Sequence, residues 1–216
     1  ISKVMIVLAK DRTIATINPS SSYTFQNNLN STNNQHNGVG TLSYIADGGK
    51  TVANFVSGNK VSLNGSFNFT KGYSVSMWIK PTEADSEKVL ISQIAGNISN
   101  TIGFEVGIKY KRIFVKSIEN NTIETTPLSD SALEISTSAW NHIVATWDTS
   151  SIKVYLNNTL VLFKPMMISS SVQINVQPIL LGVKSMQNSQ NQYIGLMSNV
   201  KIYEGTLLET CLTSLN

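Results

Sequence analysis

The chain of 216 residues predicts an all-β fold, a β-sandwich or jelly roll. Three observations carry this. Apolar and polar residues alternate with period 2 in many short runs, while the 3.6-residue period of an amphipathic helix is almost absent. These runs are bounded by Gly, Asn, Ser and Pro clusters that recur about every 8 to 12 residues, the rhythm of a sandwich or jelly roll. Hydrophobic content is 41% and mean hydropathy is close to zero, enough for a packed core and too much for disorder.

The strands can be taken in order. Tyr73, Val75, Met77 and Ile79 share one face, with Ser74, Ser76, Trp78 and Lys80 on the other, and Pro81 stops the run. Phe104, Val106, Ile108 and Tyr110 alternate with Glu105, Gly107 and Lys109, and Ile113 and Val115 continue after Lys111-Arg112, which reads as a hairpin turn. Ile143, Ala145 and Trp147 alternate with His142, Val144 and Thr146. Ile152, Val154 and Leu156 lead into Asn157-Asn158 and then Leu160 and Leu162. Asn accepts the positive φ that a two-residue hairpin needs, so Asn157-Asn158 predicts a turn on a physical ground. Ile194-Leu196 and Val200-Ile202 form the last run, flanked by Tyr193, Met197, Asn199 and Tyr203. Residues 26–40, QNNLNSTNNQHNGVG, predict a long surface loop rather than a boundary.

No low-complexity linker divides the chain, so one domain is expected over 20–216, with residues 1–19 as a lead segment or edge strand. The apolar stretch Val4–Ala9 falls far short of the roughly 20 residues of a membrane span. It predicts an ordinary edge strand and no membrane insertion by this segment. Charged residues make up 13% of the chain, about half the usual share of roughly 25%. The formal net charge of +3 comes without a Lys/Arg cluster, so no nucleic-acid partner is expected. A single cysteine, Cys211, excludes an intrachain disulfide framework and a cysteine-based zinc site. It reads as a small apolar filler. Six N-x-S/T sequons occur, which 23 Asn among 28 Ser and 19 Thr would produce by chance.

Three segments resemble the concanavalin A-like jelly roll of the laminin G-like and pentraxin-like type. Tyr73-Ser74-Val75-Ser76-Met77-Trp78-Ile79-Lys80-Pro81 is similar to the family's strand ending in W-φ-x-P. Trp140-Asn141-His142-Ile143-Val144-Ala145-Thr146-Trp147-Asp148, followed by Val154-Tyr155-Leu156-Asn157-Asn158, is similar to its W-x-H-V-A-x-T-Y-D strand and following hairpin. Gly195-Leu196-Met197-Ser198-Asn199-Val200-Lys201-Ile202-Tyr203 is similar to its closing strand. Weaker echoes lie at Tyr23-Thr24-Phe25 and at Asn54-Phe55-Val56 with Val61-Ser62-Leu63. The resemblance implies two antiparallel layers, recognition rather than catalysis, and an extracellular setting; the expected location is extracellular, at a cell surface or on a virion surface. It also implies Ca²⁺ held by acidic residues after the first strand and in the closing strand. The sequence departs at both places. Residues Gln26–Ser31 contain no carboxylate, and Ser198 stands where Asp is common. Ca²⁺ wants several oxygens including carboxylates, so no cofactor is expected, Ca²⁺ included.

Trp78, Trp140 and Tyr203 are expected to fill the space between the sheets, since each aromatic buries a large area. His142 is expected to be a packed or hydrogen-bonded imidazole. The run Glu83-Ala84-Asp85-Ser86-Glu87 matches the alternating carboxylates of β-glucan hydrolases built on this fold. It follows Pro81-Thr82 and lacks the large apolar residues of a buried strand, so it reads as a solvated turn. Gly48-Gly49-Lys50-Thr51 lacks the earlier Gly of a phosphate loop and reads as a turn into a strand. There is no nucleophile elbow and no H-E-x-x-H motif. Enzyme activity is therefore not expected.

The expected function is non-enzymatic recognition or adhesion toward a glycan or glycoprotein surface. Tyr110 and Arg112 at one turn, and Tyr193 after the polar loop 187–192, are the candidate ligand-binding residues. The alternative is a structural component of a large assembly, such as a viral capsid or phage surface, contacting neighbouring subunits.

Overall fold

The computed structural model describes residues 18–69, 72–94, 103–119, 122–148, 150–165, 177–186, 189–209 and 211–212. The expected edge strand at Val4–Ala9 lies outside them. Two antiparallel sheets face each other. The first runs in the order β13 (Thr159–Pro165), β12 (Ser151–Leu156), β11 (Asn141–Trp147), β6 (Tyr73–Pro81), β15 (Gly195–Tyr203), β4 (Lys50–Phe55) and β3 (Ser43–Asp47), with β1 (Ser21–Tyr23) also paired to β15. The second runs β10 (Thr122–Thr125), β9 (Arg112–Glu119), β8 (Gly103–Lys109), β7 (Lys88–Ser92), β14 (Ile179–Leu181), β5 (Lys60–Leu63) and β2 (Gly38–Thr41).

Alternation decides which side chains meet between the layers. Val75, Met77, Ile79, Ile143, Ala145, Ile152, Val154, Met197 and Ile202 point inward from the first sheet. Val61, Leu63, Phe104, Val106, Ile108, Ile113, Val115, Ile179 and Leu181 meet them from the second. One end of the core is closed by a ring stack. Tyr73 lies against Phe104 at 4.3 Å and Trp147 at 5.2 Å between centroids, and Phe69 and Phe67 extend the series to His36. Such offset stacks add about 0.5–1.5 kcal/mol per pair beyond their burial.

Three expectations are corrected here. Trp78, Trp140 and Tyr203 do not lie between the sheets. Trp78 alternates with the inward Met77 and Ile79, so it faces outward. Trp140 precedes β11 and is half-exposed. Tyr203 is buried on the outer face of the first sheet, where it packs with Val144, Tyr155, Leu207, Cys211 and Leu212. The inter-sheet tryptophan is Trp147. The β8–β9 turn falls at Tyr110-Lys111, not Lys111-Arg112. Both turn residues have positive φ (52° and 57°), and Lys109 pairs with Arg112 across the ladder. The stretch 26–40 is loop only as far as residue 37, because Gly38 onward forms β2 on β5. Asn157-Asn158 is the expected two-residue turn, with φ of 50° and 68°, and Gly48-Gly49 turns β3 into β4.

Candidate functional site

The outer face of the first sheet is divided in two. Over its β11–β12 side, Leu207, Cys211 and Leu212 cover Val144, Tyr155 and Tyr203 with a small second core. The other part stays open and forms a cleft of about 190 Å³ lined by Asp47, Lys50, Val52, Trp78, Trp140, Ser198 and Asn199. That is below the roughly 300–1,000 Å³ of pockets for drug-sized ligands. The space suits a ligand smaller than a drug-sized molecule.

The cleft follows from a break in pairing along β15. Its first half pairs with β4 through Gly195↔Phe55, Leu196↔Asn54 and Met197↔Ala53. From Val200 to Ile202 the neighbour on that side is β1. Between the two, the register to β6 shifts at Ser198/Lys201 and Asn199 takes a φ of 48°. Asn enters this left-handed region more readily than most residues. A bulge of this kind re-aims side chains and bends the strand. The tip of the β3–β4 hairpin is thereby released from the ladder and bends over the face. Trp140 Nε1 donates to Asp47 Oδ2 at 2.7 Å, although β6, β15 and β4 lie between β11 and β3. Lys80 on β6 approaches the same carboxylate at 3.4 Å. Asp47 therefore ties the hairpin tip to both the floor and the far wall.

The floor is ordered from beneath. Trp78 stacks on His142 at 4.8 Å between centroids and 16° between planes, and Ser76 Oγ shares a 2.9 Å hydrogen bond with His142 Nε2. The His142 backbone N–H donates to Asn157 Oδ1 at 2.8 Å, and its carbonyl accepts from the Asn157 N–H. Burial lowers the imidazole pKa from 6.5 to about 4, the Lys201 charge adds to the effect, and the Asn158 side chain offsets part of it. His142 is thus the hydrogen-bonded, packed imidazole that the sequence predicts. A Ser–His contact also occurs in nucleophilic dyads. Here the pair is buried with the imidazole stacked on Trp78, and among the described residues no carboxylate bonds His142 Nδ1 to orient it as a base.

The candidate ligand residues are dispersed. Tyr110 is exposed at the β8–β9 tip, with Lys109 Nζ 5.4 Å from its ring centroid. The Arg112 guanidinium donates to the carbonyls of Leu128, at 3.1 Å, and Ser129, and so clamps the loop after β10. Tyr193 is fully buried, edge-on to Phe55, with its hydroxyl donating to Leu196 O at 2.7 Å. It is a packing residue, which corrects the expectation of a surface ring there. Sequence reasoning missed Asp47, Lys50 and Asn199 as cleft residues. The available signal was the phase of alternation, which already sets Trp78 opposite the inward residues of β6.

The carboxylates at 83–87 form the expected turn. Glu83 pairs with Lys88 at 2.8 Å, and Glu87 with Lys116 at 2.9 Å and Lys109 at 3.6 Å. At the two positions where the resemblance implies Ca²⁺, the donors are neutral. Asn28 Oδ1 accepts from the Asn30 N–H, and Ser198 offers a hydroxyl in the cleft. Among the described residues no three His, Cys, Asp or Glu side chains converge. Asp47, the one carboxylate lining the cleft beside Ser198, is engaged by Trp140 and Lys80, so this donor set does not fit Ca²⁺, whose sites combine several oxygens with carboxylates.

With fold and cleft in view, the relationship of the chain is clear. It belongs to the Laminin_G_3 family of the concanavalin A-like lectin/glucanases superfamily, whose profile matches residues 55–211. No curated protein matches the sequence. Among solved structures it is similar to domain 4 of AbnA, an extracellular arabinanase of family GH43 from Geobacillus stearothermophilus, solved in complex with arabinotriose. Identity is 19%, coverage 93% of this chain and 98% of that one, and TM-score 0.71. It is also similar to the binding domain of Paraclostridial Mosquitocidal Protein 1, at 16% identity, covering 92% and 51%, with TM-score 0.71. A third similar structure is the ligand binding domain of botulinum neurotoxin serotype D in complex with N-acetylneuraminic acid, at 17% identity, covering 93% and 51%, with TM-score 0.68. The chain spans about half the length of the two toxin domains.

Proposed function

We propose that the chain is a non-catalytic glycan-recognition module that holds one sugar unit in the cleft of the first sheet, without Ca²⁺, at an extracellular surface. The observation that carries this reading is the pairing of two half-exposed tryptophans with polar groups around one small space. Trp78 is fixed from below by His142, and Trp140 is fixed by its bond to Asp47. Ser198 and Asn199 supply hydrogen-bonding groups beside them. A sugar has one apolar face and a rim of hydroxyls, so rigid aromatics beside convergent polar groups suit it. The arabinotriose complex of the AbnA domain and the N-acetylneuraminic acid complex of the neurotoxin domain support the class of ligand.

The test is a glycan array on the purified chain with and without chelator, followed by titration of the best binder using tryptophan fluorescence. Binding should survive chelation. Trp78→Ala should weaken it at least about tenfold, or about 1.4 kcal/mol, with the circular-dichroism spectrum retained. Binding lost on chelation would overturn the metal-free reading. An array with no binder would point instead to protein contacts in an assembly.

A further inference from the structure

We infer that this cleft, if it is the sugar site proposed above, selects a sugar bearing a carboxylate over its neutral counterpart. The argument is the charge balance of the cleft and its margin. Asp47 is the one carboxylate among the lining residues, and it is already engaged by Trp140 Nε1 at 2.7 Å and Lys80 Nζ at 3.4 Å. Its charge is spent within the protein. Lys50 lies opposite Asp47 in the hairpin register and lines the cleft, is exposed, and makes no ion pair among the described residues. Lys201 pairs with Ser76 across the β15–β6 ladder, and its charge reaches the buried His142. The imidazole stacked on Trp78 is held neutral by burial, so it neither adds to nor offsets the lysine charge.

With Asp47 already paired to Lys80, Lys50 in the lining and Lys201 near its margin leave the cleft with a surplus of positive charge. A neutral sugar would leave Lys50 with solvent as its partner. A carboxylate on a ring stacked at Trp78 gives this flexible ammonium a counter-charge beside a half-buried surface, where an ion pair is screened less than in open water. Stacking holds the ring, and the lysine reads the acid group.

Two sources share this chemistry: a terminal sialic acid and a uronic acid within a polysaccharide. The experiment therefore uses 3′-sialyllactose and digalacturonic acid, each beside its neutral partner, lactose and galactobiose. Titration follows tryptophan fluorescence at low salt and again at about 1 M NaCl, where the screening length falls to about 3 Å. At least one acidic sugar should bind about tenfold or more tightly than its neutral partner. Lys50→Gln, a change at an exposed position, should remove that preference, and high salt should shrink it. Which acidic sugar wins identifies the source. Equal binding of acidic and neutral sugars, with the Trp78 response intact, would overturn the charge selection and leave the sugar site standing. A preference that Lys50→Gln leaves unchanged would also overturn it. If none of the four sugars binds while the array yields a neutral binder that responds to Trp78→Ala, the charge selection falls and the sugar site stands; if the array also yields no binder, both fall.

Discussion

His142 makes the fold sensitive to mild acid, and the size of the effect can be worked from its surroundings. The ring is buried, stacked under Trp78 and bonded to Ser76, and Lys201 further disfavours its charged form. Its pKa is lowered from 6.5 to about 4 in the folded chain. In the unfolded chain the imidazole takes up its proton near 6.5. As pH falls below that value the unfolded state binds a proton that the folded state refuses. Stability is therefore complete above 6.5, declines as pH drops toward about 4, and stops declining once both states are protonated. The interval corresponds to about 3 kcal/mol, a large share of the 5–15 kcal/mol that holds a typical domain together. Urea unfolding of the wild type and His142→Gln should be compared from pH 7 to 4. The lowered carboxylates Glu83, Glu87 and Asp148 are present in both proteins, so their contributions cancel in the difference. The variant starts from lower stability because it loses the stack, but its decline across the window should be shallower by about 3 kcal/mol. Parallel declines would refute the reasoning, as would an NMR titration of the His142 ring with a midpoint near 6.5.

Two further predictions concern the second sheet. At Gly107 an added Cβ would meet Phe114 Cζ at 2.3 Å and the Lys88 carbonyl oxygen at 2.6 Å. The carbonyl belongs to the β7–β8 ladder and cannot withdraw freely. Gly107→Ala should thus lower stability by about 1–3 kcal/mol, read as a drop in the urea midpoint, and an unchanged midpoint would contradict the packing. Glu105 is fully buried and meets Lys116 at 2.8 Å and Ser92 Oγ at 3.2 Å. Burial alone would lower the Lys116 pKa, but Glu105 and Glu87 outweigh it and raise it. Lys116→Met strands a carboxylate in the interior, at about 3–5 kcal/mol. Adding Glu105→Gln should restore much of that loss in the same unfolding assay, and a double variant no more stable than Lys116→Met would refute the pairing.

The fold was legible because β-sandwich strands write their inner face into the sequence. Val75, Met77 and Ile79 against Ser74 and Ser76 need no distant information, and the Asn157-Asn158 turn follows from what Asn tolerates at positive φ. The Tyr110-Lys111 turn was displaced by one residue because neither residue carries a turn signal, so the ladder register alone places it. The site was less legible for a physical reason. Expecting Trp78 and Trp140 inside gave weight to residue size, whereas strand phase settles the side: Trp78 is odd by one from every inward residue of β6. Tyr193 went the other way. Its polar neighbours suggested a surface ring, but the hydroxyl finds Leu196 O and lets the ring bury against Phe55. Asp47 and Trp140 are 93 residues apart, and their meeting depends on the path of β15, which local pattern does not record.

That path is the physical origin of the cleft. In an unbroken sheet β4 would accompany β15 along its whole length, and the outer face would be a smooth surface of alternating side chains. The bulge at Asn199 ends that partnership after Met197 and admits β1 from Val200 onward. Freed from backbone pairing to β15, the hairpin tip needs another anchor, and Asp47 supplies it through Trp140 and Lys80. The same step carries Lys50 to the cleft, because it stands opposite Asp47 in the hairpin. On the other side of the bulge, Tyr203 continues β15 beneath Leu207, Cys211 and Leu212, which close off the rest of the face. One irregular residue in the closing strand thus separates a covered half of the sheet from an open one, and the open half collects the aromatic rings and the unspent charge.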